Sequence, residues 1–352
     1  MRELKIGPLD GGQRLDKYLL RVFKEADKGF LYRMLRKKNI TLNGKKAEGS
    51  ERLSERDTVQ VFFSEETFEK MAGGRPPEAA GGPQKAGHPE ASGGRISPAA
   101  LDIIFETPHI LLVNKPAGLL TQKAAAGDDC LTDRIAAYVK GRNDAASTGF
   151  TPSAANRLDR NTSGLVLAGK TLPGQQLLSY LLRSRKTEKY YLCLVKGQME
   201  KETDSTLYWQ KEEAENRALI SEAPREGALP IRLKAAPLAH LREGTDLLKV
   251  QLISGKSHQI RAQLAWLGHP ILGDSKYGDG AFTRRLGAQL GIPLRLQLLH
   301  SWQLVFPAYE EEESLSPAAR QLWQELAGRG FTAPYPPYFK RVLEALGGGN
   351  GQ

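Results

Sequence analysis

Cysteine is almost missing from this chain: two residues in 352, Cys130 and Cys193. Two thiols make no disulfide framework, and neither sits in the C-x-x-C spacing of a zinc or redox pair. Cys193 falls in an apolar strand-like run and reads as a buried core thiol. Histidine is scarce too, six in all, with no ligand-like clustering, and no glycine-rich dinucleotide loop is present. Apolar runs of membrane-spanning length are absent and the mean hydropathy is -0.43. The opening Met1-Arg2-Glu3-Leu4-Lys5 lacks the apolar core of a secretion signal, so the expected setting is the cytoplasm, away from membranes.

Positive charge is what the chain has in excess. Fifty Lys and Arg against 40 Asp and Glu leave a net +10 and a pI near 9.4. That balance points to a polyanionic partner: RNA, DNA or acidic lipid. With 40% apolar residues, the length suffices for two cored domains.

Composition divides the chain into three blocks, 1–67, 68–98 and 99–346. The first is basic: its residues 1–64 hold fifteen Lys and Arg against nine Asp and Glu, a net +6. Leu15, Leu19, Val22 and Phe23 recur at helical spacing, as do Leu31, Met34 and Leu35, and Arg33, Arg36, Lys37 and Lys38 fall off that apolar stripe. Asn43-Gly44 marks a hairpin turn between short strands, and Val59, Val61 and Phe63 alternate as a closing strand. The second block, rich in Gly, Pro, Ala and Glu, cannot bury enough apolar surface to offset its ordering entropy and reads as a flexible linker. In the third, strands are expected at 103–105, 110–113, 190–195, 231–235, 247–253 and 302–306, and helices at 131–138, 175–182 and from Ser316-Pro317 onward. No regular βαβ alternation links them. The fold class is therefore mixed α/β (α+β) on a largely antiparallel sheet. The tail from Gly347 is expected to fray.

Two segments carry chemistry. Residues 156–164 read Asn-Arg-Leu-Asp-Arg-Asn-Thr-Ser-Gly, which sets Asp159 between two arginines before an apolar strand. Nearby cations favour a carboxylate's charged form. A fixed carboxylate suits nucleophilic catalysis, and a structural salt bridge has the same look. The second segment, Ser254-Gly255-Lys256-Ser257-His258-Gln259-Ile260-Arg261, follows the alternating Leu248, Val250, Leu252.

Together these segments resemble the pseudouridine synthases of the RluA type. Three further marks of that family stand in order: Val113–Thr121 (Val-Asn-Lys-Pro-Ala-Gly-Leu-Leu-Thr), Lys189–Gly197 (Lys-Tyr-Tyr-Leu-Cys-Leu-Val-Lys-Gly), and Gly268–Asp274 continuing to Tyr277-Gly278. The likeness spans roughly residues 101–307. The basic first block, from Arg14-Leu15-Asp16-Lys17-Tyr18-Leu19 through its basic helix and Asn-Gly turn, resembles the ribosomal-protein-S-four-like RNA-binding module. Three departures are visible: Asn156 stands where His is usual, Ser254-Gly255-Lys256 where Thr-Gly-Arg is, and Gln263 where a His is.

The resemblance implies a pseudouridine synthase fold in 99–346, a small α+β RNA-binding domain in 1–67, and conversion of uridine to pseudouridine in RNA without metal or redox cofactor. It makes Asp159 the nucleophile, attacking the ribose anomeric carbon or the uracil ring, with Arg261 its guanidinium partner. It makes Tyr191 the residue that stacks on the target base and helps remove its ring proton. Arg157 would fill the place of the flipped base, with Lys115, Lys256, His258 and Gln259 as substrate-binding or wall residues. Arg14, Arg33, Arg36, Lys37, Lys38 and Lys45 would contact RNA from the first domain. The implied partner is large-subunit ribosomal RNA or its assembly intermediates, met by a monomer. Transfer RNA is the alternative substrate, and a non-catalytic ribosome-assembly protein the alternative class.

Deleting residues 1–64 is expected to weaken RNA binding and flatten its dependence on salt, because phosphate contacts are lost. Fluorescence titration across a range of salt concentrations measures both, and an unchanged slope means the block does not bind RNA.

Overall fold

The computed structural model describes residues 2–7, 10–72, 101–125, 127–141, 150–213 and 215–347. The N-terminal unit is a four-stranded antiparallel sheet: Arg2–Lys5 beside Thr58–Val61, then Ile40–Leu42, then Lys45–Lys46. Helices Leu15–Val22 and Lys28–Arg36 cover one face. Their expected apolar stripes are the core, with Leu15, Leu19, Phe23, Leu31 and Leu35 buried against Ile40, Val59 and Val61. Asp27 caps the second helix by accepting a 2.6 Å hydrogen bond from the Phe30 N–H. Asn43 and Gly44 both take positive φ, which a tight two-residue hairpin requires. The unit runs past the expected boundary at 67: helix Glu65–Ala72 packs Phe68 edge-on to Phe23, ring centroids 5.3 Å apart. The rest of the expected linker, 73–98, and the tail beyond 347 lie outside the described residues.

The larger unit is built on an eleven-stranded sheet. Its main path runs Arg217–Ser221, Thr203–Glu212, Leu229–Leu241, Thr245–Leu252, Glu188–Lys196, Leu299–Val305, Ser163–Gly169, Ile110–Lys115, Ile103–Glu106. Every pairing is antiparallel except that of Leu299–Val305 with Ser163–Gly169. Side chains alternate cleanly between faces. Leu111, Val113, Val166, Ala168, Tyr191, Cys193 and Val195 fill one core. Ile110, Leu112, Leu165 and Leu167 fill the other, under helices Leu172–Arg183 and Pro317–Leu326. Tyr190 points away from Tyr191, as expected, with the Lys249 ammonium 4.5 Å from its ring centroid.

Several elements were not legible in the sequence pattern. The hairpin Thr203–Glu212/Arg217–Ser221 and helices Gln259–Trp266, Gly280–Leu290 and Pro337–Ala345 carry polar or mixed sequences. In helix Gln259–Trp266 the residues 259–264 are all buried, so it has no exposed face to generate a polar stripe.

The parallel pair explains the Thr-Ser-Gly motif. Gly164 pairs with Ser301 at φ +109, and a Cβ there would lie 2.2 Å from the Ser301 carbonyl oxygen. Next to it the Ser163 hydroxyl lies 2.9 Å from Nδ1 of His300, which is fully buried. Burial pushes the His300 pKa down to about 4 from 6.5. As pH falls the unfolded imidazole takes a proton first, so this contribution is complete above pH 6.5 and lost between 6.5 and 4. The loss amounts to about 3 kcal/mol. Urea-unfolding midpoints against pH should show that loss in the parent and not in His300→Asn; matching curves would refute it.

Candidate active site

The cleft forms where two loops meet over the first core face. One is the 156–162 loop leading into strand Ser163–Gly169; the other is the 254–258 turn opening helix Gln259–Trp266. The space measures about 1020 Å³, at the upper end for pockets that take a small organic molecule. Asp159, Tyr191, Arg261, Arg157, Lys256, His258 and Gln259 all line it.

Asp159 is held by a pinned backbone. The Thr121 hydroxyl donates to the Leu158 carbonyl (2.9 Å) and accepts from the Leu158 N–H (3.1 Å). The Gly118 N–H reaches the Arg160 carbonyl at 2.8 Å. On the far side the Gln297 amide donates to the Thr162 hydroxyl (2.6 Å), and Asn156 accepts from the Leu167 N–H (2.7 Å). Residues on both sides of Asp159 are thereby tied to the sheet and to the 113–121 segment.

Lys115 corrects an expectation. It does not face the cleft: it is fully buried, and its ammonium donates to the carbonyls of Pro116 (2.9 Å), Leu119 (2.7 Å) and Arg160 (3.0 Å). Burial pushes its pKa down to about 7, with the charge of Asp159 acting the other way. It ties the 156–162 loop to the 116–119 segment and has no donor left for a ligand in the cleft. Gln259 is likewise a support: its amide is spent on Ser254, the Lys256 N–H, the Arg232 carbonyl and Gln263.

The centre of the site is Arg261, buried at 6% exposure. Its Nη1 donates to Asp159 Oδ2 at 2.8 Å, and its Nε and Nη2 form a fork with Asp274 at 2.7 and 2.8 Å. Burial opposes the charge on Arg261, but the hydrogen bonds it donates to Asp274 outweigh that and raise its pKa. Burial likewise opposes the charge on Asp274, and Arg261 outweighs it, so that its pKa is lowered. Asp274 also accepts the N–H groups of Lys276 (2.8 Å) and Tyr277 (3.1 Å). Neither Asp274 nor Tyr277 was given a role from sequence, although both stand in the Gly-Asp-x-x-Tyr-Gly motif.

Tyr277 orders His258. The Ala218 N–H donates to the Tyr277 hydroxyl (2.6 Å), and the same hydroxyl lies 3.0 Å from His258 Nδ1. The other ring nitrogen, Nε2, lies on the side of Asp159, 4.0 Å from Oδ2. Burial, with Arg261 and Lys276 nearby, holds the His258 pKa below its ordinary value despite Asp159 and Asp274.

Tyr191 has 5% exposure, and burial pushes its phenol up to about 12, with the charge of Asp159 adding and a hydrogen bond to Ser301 opposing. At pH 7 such a phenol is ionised in roughly one molecule in 10⁵. Its ready contributions are an aromatic face and an O–H donor. The expected proton-removing role asks for an ionised state that burial suppresses.

The cations expected to contact RNA from the first unit are exposed at Arg33, Arg36, Lys37, Lys38 and Lys45. Arg14 is exposed as well, but its guanidinium is forked onto Asp16 at 3.1 and 3.0 Å. Asp16 also accepts from the Tyr32 hydroxyl, so Arg14 is partly committed to the fold.

Comparison with known proteins agrees with this geometry. The model of a family described as RNA pseudouridylate synthase matches residues 109–266, which hold Asp159, Tyr191 and Arg261. A ribosomal large subunit pseudouridine synthase C of Pasteurella multocida (strain Pm70) is 29% identical over 98% of this chain and 94% of its own length. The protein of that name from Escherichia coli (strain K12) is 28% identical over 84% and 86%. Among solved structures, human RNA pseudouridylate synthase domain containing 4 shares the fold at a TM-score of 0.53, with 20% identity over 69% of this chain and 92% of that one. The protein is thus an RNA-modifying isomerase. Over nearly its whole length the chain is similar to RNA pseudouridine synthases of the RluA type.

Asp274→Asn should cost about 3 kcal/mol of stability, because the buried Arg261 loses its charged partner. Turnover should fall about 100-fold as the Asp159 carboxylate loses its aim. Thermal melting and single-turnover kinetics test both, and an unshifted melting point would show that Asp274 does not hold Arg261.

Proposed function

We propose that the protein isomerises uridine to pseudouridine in large-subunit ribosomal RNA, with Asp159 as the nucleophile. The observation that supports the chemistry best is the 2.8 Å contact from the buried Arg261 to Asp159 at the cleft wall. In the reaction the C1′–N1 bond breaks, the uracil turns within the cleft, C1′ bonds to C5, and the C5 proton moves to nitrogen. No atom enters or leaves, so the protein must supply a nucleophile, a rotating space and proton transfer.

Asp159 attacks, and Arg261 fixes the carboxylate in one orientation. The Tyr191 ring offers a stacking face. Arg157, exposed beside Asp159, is suited to fill the gap left by the everted nucleotide. Eversion costs a few kcal/mol, least in loops and single strands, which favours such segments of a structured RNA. The RNA class rests on the relatives named above and on the basic N-terminal unit. A purely structural role in ribosome assembly is disfavoured, since it would not require Asp159, Tyr191 and Arg261 together on one cleft.

Asp159→Asn should abolish pseudouridine formation while leaving RNA affinity nearly unchanged. Mapping pseudouridine across total RNA from cells with and without the gene reports activity, RNA class and position together. Turnover retained by the variant would remove Asp159 from the role of nucleophile, and a lost mark in transfer RNA would reassign the substrate.

A further inference from the structure

Two cations of the cleft have no part in the machinery described so far. Helix Leu172–Arg183 ends in a reversal closed by the Lys186 N–H on the Leu181 carbonyl (3.0 Å) and the Arg185 N–H on the Leu182 carbonyl (3.3 Å). Arg185 sits at the left-handed residue of that reversal, φ +57. Glycine or asparagine is the usual occupant, and a longer side chain there strains the backbone. Strain of this kind collects at functional positions. Four residues on, in strand Glu188–Lys196, Lys189 shares a sheet face with Tyr191 and lines the same cleft.

Neither the Arg185 guanidinium nor the Lys189 ammonium has a hydrogen-bonding or ion-pair partner among the described residues. Burial and the charge of Arg185 hold the Lys189 pKa below its ordinary value. The fold therefore sets two like charges near each other, one of them desolvated, with no anion of its own between them. An anion from outside would repay both the repulsion and the desolvation.

We propose that Arg185 and Lys189 form a phosphodiester-binding site at the edge of the cleft, which grips the backbone of the strand carrying the target uridine. The inference rests on RNA being the substrate of this cleft. It gives the enzyme a contact that sets the strand's register against Asp159 from a side opposite in charge to the nucleophile.

The test uses the full-length protein and a fluorescent oligouridylate, titrated at several salt concentrations. Lys189→Gln and Arg185→Gly should each lower affinity about tenfold and make the salt slope shallower by about 0.7. Lys189→Arg should restore the slope. Arg185→Gly relieves the backbone strain and should melt at or above the parent temperature, which separates lost binding from misfolding. Unchanged affinity in both variants overturns the site, and so does weakened affinity with an unchanged slope. Pseudouridine formation is scored separately in Asp159→Asn: activity there would defeat the nucleophile assignment and leave these titrations standing.

Discussion

The site depends on one buried guanidinium shared between two carboxylates. Arg261 cannot be left in a low-dielectric wall unpaired, and the fork it makes with Asp274 supplies the compensating charge. Asp274 is itself satisfied by two backbone N–H groups, so it has no freedom to follow a moving partner. A planar group held along one edge has a fixed direction at the other. Nη1 therefore points to one place, and Asp159 Oδ2 occupies it. Had Asp159 been the sole partner of Arg261, the pair could have tilted together.

That constraint needs a matching one from the loop side, and the 113–121 segment provides it. Lys115 gathers three carbonyls, and three acceptors call for the three donors of an ammonium even as burial pushes its pKa to about 7. Thr121, Thr162 and Ser163 complete the frame. The frame closes at the single parallel strand pairing among the described strands, where Gly164 passes the Ser301 carbonyl too closely for any side chain. Thr-Ser-Gly is thus read by the sheet, while Asp159 three residues earlier faces the cleft.

Much of this was legible in the sequence because alternation and turn chemistry are local. The strands at 110–115, 163–169 and 245–252 and the Asn43-Gly44 hairpin announce themselves. The motif resemblance carried Asp159, Tyr191 and Arg261 into one cleft across a hundred residues. Local pattern failed where burial is complete. Helix Gln259–Trp266 shows no amphipathic stripe because Gln259, Arg261 and Gln263 are themselves inside, each with a specific partner. Lys115 misled for the same reason: a lysine next to a catalytic motif suggests a substrate cation until its three carbonyls are seen. Asp274 was visible as a motif letter, but its role depends on a side-chain fork that no spacing encodes.

In the proposed reaction a nucleophilic carboxylate and a polyanionic substrate would repel each other, and layered charge in the cleft answers that conflict. Arg261 meets Asp159 from within the wall, while Arg157 and Lys256 line the same cleft nearer solvent. Arg185 and Lys189 add two more positive groups with no anionic partner among the described residues. Phosphates approaching this cleft meet cations that are free to pair, whereas the carboxylate they would avoid is already engaged. An exposed carboxylate without that inner guanidinium would raise the barrier to RNA entry and lose its aim at once. The basic rim and the buried Arg261 thus answer one electrostatic problem at two depths.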